Sequence, residues 1–135
     1  MIPSVVLDTH TAIWYLNADA RLSERAKQFI EEAGRRGMPV LISSISLVEV
    51  VYLCEKGRIP SESLTRLLEE ELSLQDNAVC VADLTIAVAL AVGRVIRDEV
   101  PEMPDRIIAV TALYFGVPVI SRDRKIRISA VETIW

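Results

Sequence analysis

The chain has 135 residues, enough for one domain with its own core, and 51% of them are hydrophobic against 25% charged. A mean hydropathy of +0.33 excludes a disordered chain and leaves room for a buried oligomer surface. The net charge of −4 argues against a general nucleic-acid-coating protein but not against a local basic rim: residues 1–90 carry 13 acids and 8 bases, residues 91–135 carry 6 and 7.

In chain order, "SVVLD" (4–8) is a short β-branched run ending in a polar residue and predicts a buried strand. "THTAIWYLN" starts a helix directly behind it. "LSERAKQFIEEAGRRG" predicts a helix capped by Ser23 and stopped at Gly34 or Gly37. "PVLIS" is a second strand, and 44–56 a helix with Gly57 as its stop. "SESLTRLLEEEL" is a helix capped by Ser61, and "AVCVA" a third strand. "LTIAVALAVGRVIRD" predicts one long buried helix. "PDRIIAVTALYFG" predicts a helix with Pro104 at its start and Gly116 at its end. "VPVIS" is a fourth strand, and "VETIW" is placed as a fifth. Strands alternating with helices give an α/β fold: a three-layer α/β/α domain over 1–135 with a central parallel sheet of four or five strands. No linker or repeat divides it. The longest apolar run, Leu84 to Val92, is far below the roughly 20 residues of a membrane span. The N-terminus lacks the basic and apolar regions of a signal peptide, so a cytoplasmic location is expected. Cys54 and Cys80 have no metal or redox spacing and read as two buried thiols.

Four acids fall where such a sheet binds ligands, beyond the carboxyl ends of its strands. Asp8 ends the first strand, and Asp123 lies just past the fourth. Asp105 sits in the first turn of a helix. Glu49 interrupts the apolar run "ISLVEVVYLC", one or two turns into a helix that directly follows a strand. Each has a plainer explanation. Asp8 could only cap a helix. Asp105 could only complement a helix dipole. Asp123 could pair with Arg122 or Arg124. Glu49 could pair with a buried Arg, at a cost of several kcal/mol. Together the four positions favour one acidic site. Carboxylates crowded in this way repel, and stay ionised only beside a cation. A cluster of oxygen donors with no Cys among them, in a chain with a single His, selects Mg2+ or Mn2+. On this reading Glu49 shares a metal with Asp8.

"VVLDTH", "ISSISLVEV" and "PDRIIAVTALYFGVPVISRDRKI" together closely resemble the PIN domain, in its VapC-type toxin branch, over essentially the whole chain. The resemblance implies a metal-dependent ribonuclease fold. It implies Asp8, Glu49, Asp105 and Asp123 as the catalytic and metal-binding acids, supported by Thr9 and Ser121. It further implies hydrolysis of single-stranded or structured RNA to 5′-phosphate and 3′-hydroxyl ends, a homodimer, and a small antitoxin as partner.

Arg106, Arg122 and Arg124 flank these acids and are candidates for substrate phosphate, with charge balance as the alternative. Lys125 could act likewise, whereas Arg127 reads as solvated surface. His10 is placed at the surface or in packing rather than as a base. Trp14 and Tyr15 could stack a base or form a dimer face, but core positions are the commoner use. "EEE" (69–71) is a solvated helix face.

Other functions fit less well. A phosphatase acting through an aspartyl phosphate needs a second Asp where His10 stands, and a receiver domain needs an acidic pair near its start. A nucleotide-binding protein needs a Gly-rich loop that is missing. The non-catalytic alternative is an α/β interaction module with an acidic partner-binding surface.

Overall fold

The computed structural model describes residues 3–72, 79–127 and 131–135; the side chains of Leu68, Glu70, Glu71 and Leu72 are excepted. The acidic run at 69–71 thus lies largely outside the described side chains, and Ala78 of the third predicted strand outside the described residues. The elements are β1 (Val5–Leu7), α1 (Thr9–Leu16), α2 (Glu24–Arg35), β2 (Val40–Ser43), α3 (Ser44–Glu55), α4 (Glu62–Leu72) and β3 (Val79–Ala82). They are followed by α5 (Ile86–Ala91), a 3-10 turn (Val92–Arg94), α6 (Met103–Phe115), β4 (Val119–Ile120), α7 (Arg124–Arg127) and β5 (Thr133–Ile134).

The strands form one parallel sheet in the order β3-β2-β1-β4-β5. The period of two along each strand splits the core. Val5, Leu7, Val40 and Ile42 face a layer holding α1, α2, α3 and α4, where Ala12, Ile30, Val50 and Leu67 are buried. Val6, Leu41 and Val119 face the opposite layer, built on Val88, Ile108, Val110 and Ile126. The predicted three-layer α/β/α architecture therefore stands. From β1 the chain builds outward through β2 to β3, then returns to place β4 on the other side of β1. That reversal opens a crevice at the carboxyl ends of β1 and β4.

Local chemistry fixes the elements that border the crevice. Asp8 accepts the Thr11 N–H at 2.8 Å and caps α1. Ser43 ends β2 and caps α3 with no loop between them, so Glu49 falls in the second turn. Pro104 sits in the first turn of α6, and Gly116 closes that helix at φ 68°, a left-handed conformation that costs other residues strain.

Two expectations need correction, and one element was not expected. The long buried helix at 84–98 is a six-residue α5 followed by a 3-10 turn, with Ile86 80% and Leu90 81% exposed. Its near-continuous apolar run carries no polar face to mark which side meets the core. Cys54 and Cys80 are free, as expected, but half-buried rather than buried. The four-residue helix α7 was not foreseen, because "RKIR" is too short for periodicity to register.

Candidate active site

One cavity of about 350 Å³ opens at the crevice, and Asp8, Thr9, His10, Trp14, Glu49, Asp105, Arg122 and Asp123 line it. All four predicted acids are brought together, each from a different segment. Asp8 follows β1, Glu49 stands on α3, Asp105 on the first turn of α6, and Asp123 between β4 and α7.

Hydrogen bonds fix three of the acids. The buried Ser121 hydroxyl donates to Asp8 and accepts the Asp123 N–H at 2.9 Å, joining the segments after β1 and β4. Asp123 in turn accepts the Lys125 N–H at 2.8 Å. Thr9 Oγ1 lies 2.5 Å from Glu49 Oε1 and 2.8 Å from Ser46 Oγ. A hydroxyl has one proton. The shorter contact to a carboxylate takes it, and Ser46 then donates to Thr9. Among the described residues no cation lies within 4 Å of Glu49, which removes the buried Arg partner considered for it. Ser46 was missed as a supporting residue. Its signal was present: Ser46 and Glu49 are three apart and share a helix face.

Among the described residues Asp105 forms no ion pair within 4 Å. Its carboxyl is pushed up to about 7, first by burial and then by the charges of Asp123, Glu49, Asp8 and Glu102. Its repulsion from the other three acids is the electrostatic mark of a joint site.

The donor set fits a hard divalent cation: the candidate ligands are carboxylate oxygens around one partly desolvated cavity. Among the described residues no three acidic, His or Cys side chains already close around one point. Mg2+ keeps several of its waters, so its protein ligands need not all touch the ion.

The basic residues separate. Arg122 lines the cavity. Arg106 does not; its Nη2 donates to the carbonyls of Val92 at 3.3 Å and Val95 at 3.0 Å. In this structure Arg106 thus holds the 3-10 turn after α5, and the cavity lining gives no support to the substrate-phosphate role considered for it. Its buried Nε finds no acceptor among the described residues. Arg124 lies exposed on α7, outside the cavity lining. His10 is exposed and tilts against Trp14 with ring centroids 5.7 Å apart. Trp14 is a core residue.

A parallel sheet with four acids gathered at its switch point is the class of α/β protein that the resemblance to the PIN domain implies. The PIN-domain profile matches residues 5–131. The chain is 30% identical over 125 residues to Ribonuclease VapC22 of Mycobacterium tuberculosis, covering 92% of this chain and 90% of that protein. Its fold resembles VapBC2 from Rickettsia felis, solved bound to a promoter DNA fragment, with a TM-score of 0.69 at 17% identity and 96% of each chain covered. It also resembles a toxin–antitoxin complex from Klebsiella pneumoniae, with a TM-score of 0.65 at 23% identity, covering 98% of this chain and 97% of that one. The chain belongs to the PIN-domain family, in its VapC-type branch.

Proposed function

We propose that this protein is a Mg2+- or Mn2+-dependent endoribonuclease that cleaves single-stranded RNA, the toxin of a toxin–antitoxin pair. The observation that carries the reading is the convergence of Asp8, Glu49, Asp105 and Asp123 on one cavity, with Asp105 pushed up to about 7 by burial and by its acidic neighbours. The relationship to Ribonuclease VapC22 supports the same activity.

Asp8, Glu49, Asp105 and Asp123 would hold the metal, some of them through water. When bound, the ion lowers the pKa of water and stabilises the charge that develops at phosphorus. Ser121 orients Asp8 and the backbone of Asp123, while Thr9 and Ser46 orient Glu49. These hydroxyls keep the carboxylate oxygens aimed without neutralising them. Arg122, which lines the cavity with the acids, supplies a cation for a substrate phosphate. Products carry 5′-phosphate and 3′-hydroxyl ends.

A homodimer is part of the proposal. A helix apolar all round is ordinarily buried, yet on α3 Val48 and Tyr52 are exposed, and on α5 Ile86 and Leu90. Both helices pack on α6 and leave apolar surface for a second copy. The antitoxin is a small partner whose basic side chain meets the acids, as a guanidinium fork suits carboxylates. The structural likeness to toxin–antitoxin complexes supports it. Among the described residues no helix is long and apolar enough to cross a membrane.

The test is cleavage of a single-stranded RNA by the purified protein in Mn2+, in EDTA, and with Asp8→Asn. Cleavage confined to the wild type in Mn2+ is expected. Cutting by the variant at the wild-type rate would reject the site assignment.

A further inference from the structure

The acids of the cavity have a cation beside them that they do not capture. Arg122 is flanked in sequence by Ser121, which binds Asp8, and by Asp123. Its side chain lines the same cavity as four carboxylates. Yet among the described residues it forms no ion pair within 4 Å. Its guanidinium carbon instead lies 4.6 Å from the centroid of the Trp14 ring.

Trp14 is a rigid support. It is 5% exposed, set in the core between sheet and helices, with Trp135 edge-on at 5.9 Å. Arg21 also approaches the ring, at 5.2 Å, but its fork is taken by Asp19 at 2.7–3.0 Å. Among the described residues, Arg122 is the stacked cation whose N–H groups remain for another acceptor. A stacked guanidinium keeps its planar edge free for a bidentate phosphate contact.

We infer that Trp14 is a positioning residue for RNA binding: stacking on its ring holds the Arg122 guanidinium out of the acidic cluster and presents it to a phosphate of the substrate. The inference rests on the proposed nuclease reading. A guanidinium resting on the acids would compete with the metal and lose its grip on phosphate. A stacked one does neither. This gives an aromatic residue of the core a part in substrate affinity, acting through Arg122 rather than on the reacting atoms.

The experiment reads binding, so that it stands apart from cleavage. A short single-stranded RNA is titrated into Asp8→Asn protein at fixed Mn2+ over a range of monovalent salt. In that background Arg122→Ala should weaken binding about tenfold, the scale of one charged hydrogen-bonded contact. It should also reduce the slope of log affinity against log salt by about 0.7, the loss of one phosphate contact on a single strand. Trp14→Leu should do much the same, and adding Arg122→Ala to it should cost little more. Trp14→Phe, which keeps an aromatic face, should retain most of the affinity. It also serves where Trp14→Leu fails to fold, since its loss of affinity must then be smaller than that of Arg122→Ala and non-additive with it. Calorimetry of Mn2+ with the otherwise wild-type protein gives a second readout: Trp14→Leu should weaken metal binding, Trp14→Phe much less, and adding Arg122→Ala to either should restore it. Additive losses, or an unchanged salt slope in Arg122→Ala, overturn the inference and leave the nuclease reading intact. An Asp8→Asn protein that binds no RNA, with a wild type that cuts none, overturns both.

Discussion

Replacing Asp105 with asparagine removes the group on which the acidic cavity bears hardest. Its carboxyl stands at about 7 instead of 3.8, a difference of about 4 kcal/mol at face value. Asp105 is half-buried, so solvent screening reduces this to about 1–2 kcal/mol. The sign follows from proton linkage. The folded-state pKa is raised, so the folded protein holds this proton more tightly than the unfolded chain. The associated stability is present below about pH 4 and is lost as pH rises towards 7. In EDTA, urea melts of the wild type at pH 5.5 and pH 8 should therefore show a fall at the higher pH. Asp105→Asn should lack that component and exceed the wild type at pH 8 by about 1–2 kcal/mol. Metal should reverse the order. Mn2+ binding must displace the Asp105 proton at pH 5.5 and not at pH 8, so wild-type affinity should rise roughly thirtyfold at face value between them, and the variant's much less. A variant no more stable than the wild type at pH 8, with an unchanged metal response, would refute the claim that the four acids act on one another.

Three further outcomes are expected. Glu49→Gln should weaken Mn2+ binding roughly tenfold or more while shifting urea stability by no more than about 1 kcal/mol, because its partner is the Thr9 hydroxyl; a loss of about 3–5 kcal/mol with unchanged metal affinity would mark a buried ion pair instead. Leu90→Asp should shift the protein to monomer in sedimentation while its melting temperature at low concentration holds, since Leu90 is exposed in the single chain. A basic antitoxin segment and Mn2+ should weaken each other's binding by the same factor, measured at matched ionic strength; equal antitoxin affinity with and without Mn2+ would place its contact away from the acids.

Much of this architecture was legible because its signals are local. "SVVLD" and "VPVIS" are apolar runs that end where acid and hydroxyl stand, and Asp8 and Ser121 meet there. Glu49 was conspicuous as a carboxylate in an apolar helix, and the structure gives it a hydroxyl partner on α1. What stayed hidden depends on distant packing. The apolar run at 84–92 does not tell a face buried in the core from one left exposed, and Leu90 is the latter. Arg106 directly follows a site acid, yet its side chain turns to the Val92 and Val95 carbonyls. Nothing near Trp14 in sequence announces Arg122, because the strand order that brings them together is a property of the whole sheet.

The central claim is that Asp8, Glu49, Asp105 and Asp123 share a divalent cation. Crystals grown in Mn2+ and measured for anomalous scattering at the manganese edge test it most directly. The account predicts a peak within the cavity, with at least two of the four carboxylates as direct ligands and the rest reached through water. A cavity free of anomalous signal at saturating Mn2+, or manganese bound only elsewhere on the chain, would contradict it.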